Sequence, residues 1–283
     1  MEFGLLGPLR VSDGGAVHAV NSAKQRAVLA ILLLRAGWTV QTQQLIETLW
    51  DGSPPRTAEV TVRNYILRLR RSNGAVGARL RTVPGGYVFE AGDEEIDLRL
   101  FDRLRCRGEE SLRTGDFATA SERLTRALAL WRGPALADVP CDTLRRDLCP
   151  ALEEQRLQVE ELKLQAECAS GRSKSVIPEL LRLTSAHPWR ESLWGQLMIA
   201  YVGSGRQAEA LAVYRRVQRM LDEELAVRPG RELTALHSSI LAGEVPRYRA
   251  DTRELRRARI IPSCADSALC RSGSPQISSH VSS

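Results

Sequence analysis

The stretch Thr61-Val62-Arg63-Asn64-Tyr65-Ile66-Leu67-Arg68-Leu69-Arg70-Arg71 decides how the first third of the chain reads. Val62, Ile66 and Leu69 fall at i, i+4 and i+7, a spacing that lines up side chains on one face of a helix and makes them its buried stripe. Thr61, Asn64, Arg68 and Arg71 fall at i, i+3, i+7 and i+10 on a second stripe, with Arg63 and Arg70 beside it. Such a helix is suited to lie against a polyanion. Arginine meets guanine edges or phosphates with two parallel hydrogen bonds, asparagine does so at adenine, and threonine offers a hydroxyl to phosphate or a methyl to thymine. A charged helix face by itself is usually just solvated, so the neighbouring segments must decide.

Working outward, Glu2 to Val11 reads as a strand, Asp13-Gly14-Gly15 as a hairpin turn and Ala16 to Val20 as the return strand. Ser22 caps a predicted helix from Ala23 to Ala36 that is apolar over most of its circumference, and Gly37 ends it. A shorter helix is predicted from Gln41 to Trp50, with Leu45, Ile46, Leu49 and Trp50 inward. After the turn Asp51-Gly52-Ser53-Pro54, with Pro55 as a first helical residue, the basic helix is predicted from Arg56 to Ser72. A glycine-rich turn at Gly74 to Gly77 leads to strands at Arg79–Val83 and Tyr87–Phe89, joined by Pro84-Gly85-Gly86. Strand pair, buried helix, short helix, turn, basic helix and hairpin is the order of a winged helix-turn-helix, whose third helix enters the major groove.

Charge supports this reading by its distribution more than by its total. The 283 residues carry a formal net charge of +6, yet Arg56 to Arg81 contains seven arginines and one acid, Glu59. Met1 to Val11 has no charged start followed by an apolar run, and the apolar run Ala27 to Leu34 is too short to span a bilayer, so a cytoplasmic, nucleoid-associated protein without membrane contact is expected. Six cysteines, at 106, 141, 149, 168, 264 and 270, lack metal-ligand spacing and read as reduced thiols. Histidines 18, 187, 237 and 280 are dispersed, and Gly171-Arg172-Ser173-Lys174-Ser175 resembles a phosphate loop only superficially. The expectation is a protein that is no enzyme and takes no cofactor or metal.

Val62 to Arg71, followed by Arg81-Thr82-Val83-Pro84-Gly85-Gly86-Tyr87, resembles the effector domain of OmpR-type response regulators, with its Ile-x-Arg-Leu-Arg run and a wing ending in Gly-Tyr. The resemblance implies that Arg68 contacts a base, that Thr61, Tyr65, Arg70 and Thr82 contact the DNA backbone, and that Tyr87 is a core residue at the base of the wing. Arg63, Asn64, Arg71 and Arg81 complete the expected DNA-binding set. The sequence departs from the family at Pro84, where an arginine often sits, which leaves a minor-groove contact by the wing without its usual side chain.

From Ile96 to about Leu241 the pattern is helical, with turns at Gly115, Gly171 and Gly205. Trp194, Leu197, Tyr201, Gly205, Ala210 and Tyr214 follow a tetratricopeptide-like pattern, in which Trp131, Trp194, Tyr201 and Tyr214 are expected in the core. The segments Ala127 to Leu136, Gly205 to Tyr214 and Glu223 to Gly230 resemble the bacterial transcriptional activation domain of the Streptomyces antibiotic regulatory proteins. The expected fold is therefore mainly α: an N-terminal α+β winged helix-turn-helix at 1–93, an all-α tetratricopeptide-like domain at 96–246, and a disordered basic, serine-rich tail at 247–283. The resemblance implies an activator of a secondary-metabolite (antibiotic) gene cluster. It would bind direct repeats of double-stranded promoter DNA near the −35 region as two protomers in tandem, and engage RNA polymerase holoenzyme. The division of labour predicts that residues 1–95 bind DNA but activate poorly. The rival expectation is a helical-repeat adaptor without specific DNA binding, which a salt titration separates.

Overall fold

The computed structural model describes residues 1–244 apart from Asn73; the tail expected at 247–283 lies outside the described residues. Two compact units emerge. Among the described residues, the first comprises Met1–Leu100 together with Trp131–Glu153, and the second Phe101–Leu130 together with residues 154–244.

In the first unit, β1 (Glu2–Gly4), β2 (Arg10–Asp13) and β3 (Ala16–His18) form an antiparallel sheet in sequence order, with Phe3 opposite Val11 and Val11 opposite His18. The single strand expected from Glu2 to Val11 is thus two strands with an excursion between them. The excursion forms because its backbone bonds elsewhere: the Asp97 carboxylate accepts from Leu5 N–H at 2.7 Å and Leu6 N–H at 3.1 Å. Helix α1 (Ala23–Leu34) is buried continuously from Ala27 to Leu34, as its apolar run requires. It stops short of the expected Ala36, and Gly37, at φ +86°, donates its N–H to Phe89 O at 2.8 Å.

A two-residue strand, β4 (Val40–Gln41), precedes α2 (Thr42–Trp50), which ends at Asp51 in the left-handed region. Helix α3 (Ala58–Ser72) begins two residues later than expected. Pro55 to Ala58 make a separate turn, closed by Ala58 N–H donating to Pro55 O at 2.9 Å. The glycine-rich turn expected at Gly74 to Gly77 is instead a short helix, α4 (Gly74–Arg79), anchored by the buried Val76. A Cβ at Gly77 would stand 2.6 Å from Arg70 O, so glycine is what lets α4 lie against the end of α3. The wing strands are β5 (Leu80–Val83) and β6 (Gly86–Phe89), in a second antiparallel sheet of order β4-β6-β5. There Gly86 fits against Val40 O, which a Cβ would approach to 2.2 Å. Phe3 meets Phe89 edge-on at 5.2 Å between ring centroids, so the two sheets share one core with Leu29, Leu32, Leu33, Leu45, Ile66 and Leu69.

The second unit is helical. Helices α5 (Asp97–Arg113), whose first turn belongs to the first unit, and α6 (Phe117–Leu128) turn at Gly115, where φ is +81°. Helices α8 (Cys149–Ala169), whose first turn also belongs to the first unit, and α9 (Ser173–Ala186) turn at Gly171, and α10 (Glu191–Gly203) and α11 (Gln207–Leu225) at Gly205; α12 (Arg231–Leu241) follows. All three expected glycine turns are present. Trp194, Tyr201 and Tyr214 are buried here with Leu180, Leu193 and Leu197, as the repeat pattern required; Trp131 is also buried, but in the first unit. Gly171 to Ser175 form a turn into α9, with Ser173 buried and the Arg172 guanidinium donating to Ser121 Oγ.

Candidate nucleic-acid interface

Helix α3 presents two distinct sides. Ala58, Val62, Ile66 and Leu69 are buried and hold it on α1 and α2. Asn64, Arg68 and Arg71 are exposed, while Thr61 and Tyr65 are half-buried at the margin. The Thr61 hydroxyl donates back to Thr57 O at 2.8 Å, so its proton is engaged at the start of the helix. Arg63 forms an exposed ion pair with Glu59 one turn earlier, at 3.2 Å, a geometry worth only tenths of a kcal/mol in water. Among the described residues, Arg63 is held only by this weak pair and Arg68 and Arg71 form no ion pair, so their charge is open to an anionic partner.

The wing is joined to α3 by Arg70. Its Nε and Nη2 donate to Leu80 O at 3.2 and 2.9 Å, and Nη2 also donates to the Thr82 hydroxyl at 2.8 Å. Arg70 and Thr82 are thus brought together as a helix-to-wing clasp. Arg81 pairs with Glu90 across the hairpin at 2.7 Å, with both side chains largely exposed. Tyr87 is buried at the base of the wing, as the resemblance implied. At the tip, Gly85 O accepts from the Thr42 N–H at 3.0 Å, which ties the hairpin to the start of α2. Below the wing, Arg79 grips the Glu95 carboxylate with two bonds of 2.6 Å, and Gly92 N–H donates to it as well. These partners, Arg79 first, hold the Glu95 carboxyl below the usual carboxylate range.

The segment Trp131–Glu153 belongs to the same compact unit, which sequence reading assigned to the helical half. It runs as a strap along the excursion after β1 and on to the end of α2. Leu6 O accepts from Arg132 N–H at 2.8 Å, and Leu5 O from Leu136 N–H at 3.0 Å. Leu9 N–H donates to the Asp138 carboxylate at 2.6 Å, and Arg26 of α1 donates to Asp138 O at 2.9 Å. The strap includes α7 (Asp142–Asp147), where Arg146 holds both oxygens of Asp51 at 2.9 and 3.2 Å and Thr143 donates to the same carboxylate. These contacts hold the Asp51 carboxyl below its ordinary range, with Arg146 as the main cause. Asp51 opens the turn that leads into α3. Residues some 90 positions apart in sequence thus set this turn together, and no local pattern could have announced it.

A three-helix core with a β-hairpin wing, a basic third helix and an appended helical-repeat unit together define the architecture of a transcription regulator. Residues 19–89 match the family described as "Transcriptional regulatory protein, C terminal", and residues 96–241 match the "Bacterial transcriptional activator domain". Regulatory protein DnrI of Streptomyces peucetius is 35% identical over 278 residues, covering 95% of this chain and 100% of its own. Transcriptional regulatory protein EmbR of Mycobacterium tuberculosis is 39% identical over 245 residues, covering 85% of this chain. This chain spans 63% of the length of that relative. The solved structure titled "Mycobacterium tuberculosis EmbR in complex with low affinity phosphopeptide" superposes with a TM-score of 0.82 at 38% identity, over 87% of this chain and 66% of that one. The chain belongs to the Streptomyces antibiotic regulatory protein family of transcriptional regulators.

Proposed function

We propose that this chain is a transcriptional activator that grips promoter DNA through α3 and its wing and uses its helical half to engage RNA polymerase holoenzyme. The DNA-binding segment is residues 1–93 and the activating segment residues 96–246. The observation that carries the reading is the division of α3. Four apolar residues fix it to the core, and its exposed side carries Asn64, Arg68 and Arg71 with no acid among them. Arg68 is the base-reading side chain, and Arg63 and Arg71 meet phosphates beside it. Tyr65 approaches the backbone from the margin, and Thr61 does so when its hydroxyl turns away from Thr57 O; Arg81 and Thr82 approach from the wing. Arg70 contributes by holding the wing in register with the helix. The sites are direct repeats near the −35 region of an antibiotic or related secondary-metabolite gene cluster, occupied by two protomers in tandem in the cytoplasm. Among the described residues, no helix is long and apolar enough to cross a membrane.

Footprinting on the promoters that flank the protein's own gene tests this reading. The expected result is protection of two adjacent repeats in the same orientation, with stoichiometry of two chains per site. No protection at any concentration that saturates other promoter-binding proteins would contradict it and favour the adaptor.

A further inference from the structure

Two apolar side chains lie on the exposed side of α3: Val60 is 57% exposed and Leu67 43%. At about 100° per residue, the positions diametrically opposite the stripe of Val62, Ile66 and Leu69 are Val60, Asn64, Leu67 and Arg71. Arg68 stands to one side of that line. Scattered surface leucines and valines are ordinary and need no explanation. This pair is different in placement, because both occupy the line that reaches furthest from the core, interleaved with an amide and a guanidinium. In the major groove, the apolar group exposed on a base edge is the C5 methyl of thymine.

We propose that Val60 and Leu67 read thymine methyl groups, so that specificity rests on apolar contacts as well as on Arg68. This rests on the DNA-binding reading above. The two side chains are seven residues apart, about 10 Å along the axis, which is roughly three base-pair rises. They therefore address separate thymines within one half-site. A methyl removed from water against an aliphatic side chain gives roughly a three- to fivefold preference for thymine over the same base without its methyl. The contact is uncharged, so it changes affinity without changing the dependence on salt.

The test binds the full chain to its footprinted site and to duplexes in which each thymine is replaced in turn by deoxyuridine. That replacement deletes the methyl and keeps every hydrogen-bonding group. The expected result is a roughly three- to fivefold loss at two positions per half-site. Val60→Ala removes the sensitivity at one position and Leu67→Ala at the other, with unchanged salt slope and an unchanged circular dichroism spectrum. Uniform tolerance of deoxyuridine overturns the proposal while leaving DNA binding intact. So does a penalty that persists unchanged in both variants. Absence of any footprint overturns the DNA-binding reading, and this proposal with it.

Discussion

Arg68 and Arg70 are two residues apart and sit in different surroundings. Arg68 is exposed on the outward side of α3, whereas Arg70 is half-buried and gives its guanidinium donors to Leu80 O and the Thr82 hydroxyl. Arg68→Ala is expected to leave thermal stability within about 0.5 kcal/mol of the parent and to reduce specific binding by roughly 1–3 kcal/mol. Arg70→Ala differs in that its main effect is on the fold. It breaks charge-assisted bonds between helix and wing and is expected to destabilise the fold by about 1–3 kcal/mol. Thermal unfolding beside gel-shift titration of both variants checks the contrast. Glu95 adds a pH dependence. Its folded carboxyl is held below the unfolded value, chiefly by Arg79. The folded state therefore binds fewer protons than the unfolded one, and the stabilisation is present above the unfolded value and lost as pH falls through the depressed folded value. Unfolding temperatures followed from about pH 7 to about pH 3 should fall less steeply for Glu95→Gln than for the parent. Equal slopes would remove Glu95 from the account.

The elements show why some of the fold was legible in the sequence and some was not. The buried helix α1, the short helix α2 and the basic helix α3 follow from periodicity, and the wing from its glycine-rich turn, because these signals are local. Strand β4 is two residues long and exists through pairing with β6, where Gly86 accommodates Val40 O. Helix α4 was hidden because two glycines in six residues look like a turn, although Gly77 serves close packing on α3. On the candidate interface, the stripe of Thr61, Asn64, Arg68 and Arg71 could be drawn from spacing, but the engagement of Arg70 and Thr82 with each other depends on where the wing folds. The strap Trp131–Glu153 was invisible for the same reason. Its partners Leu5, Leu6, Leu9 and Asp51 lie far away in sequence. This alters the expectation for fragments. A 1–95 fragment lacks the strap and the Asp97 carboxylate that caps Leu5 and Leu6, and it lacks Arg99, which bonds Ala36 O. It is therefore expected to unfold at lower denaturant concentration than the full chain and to bind the promoter more weakly. Urea unfolding with matched binding titrations checks this. A 1–95 fragment as stable and as tight-binding as the full chain would show that the strap contributes nothing to the DNA-binding unit.

At the scale of the whole molecule, the chain has the two matched segments of its family of transcriptional regulators, and the proposed function assigns DNA binding to the first and activation to the second. The central claim is that α3 meets DNA as a sequence-reading cationic surface, and such a surface has a thermodynamic signature. Binding that neutralises phosphates weakens as salt rises, with a slope in log–log form of about −0.9 per phosphate contact. The most direct measurement is a salt titration of the full chain against its footprinted promoter and against random duplex of equal length, for the parent and for Arg68→Ala. The account predicts steep, nearly parallel salt slopes for both duplexes, a clear preference of the parent for the promoter, and a narrowed preference in Arg68→Ala. Binding that is indifferent to salt, or a promoter preference that Arg68→Ala leaves unchanged, would contradict it.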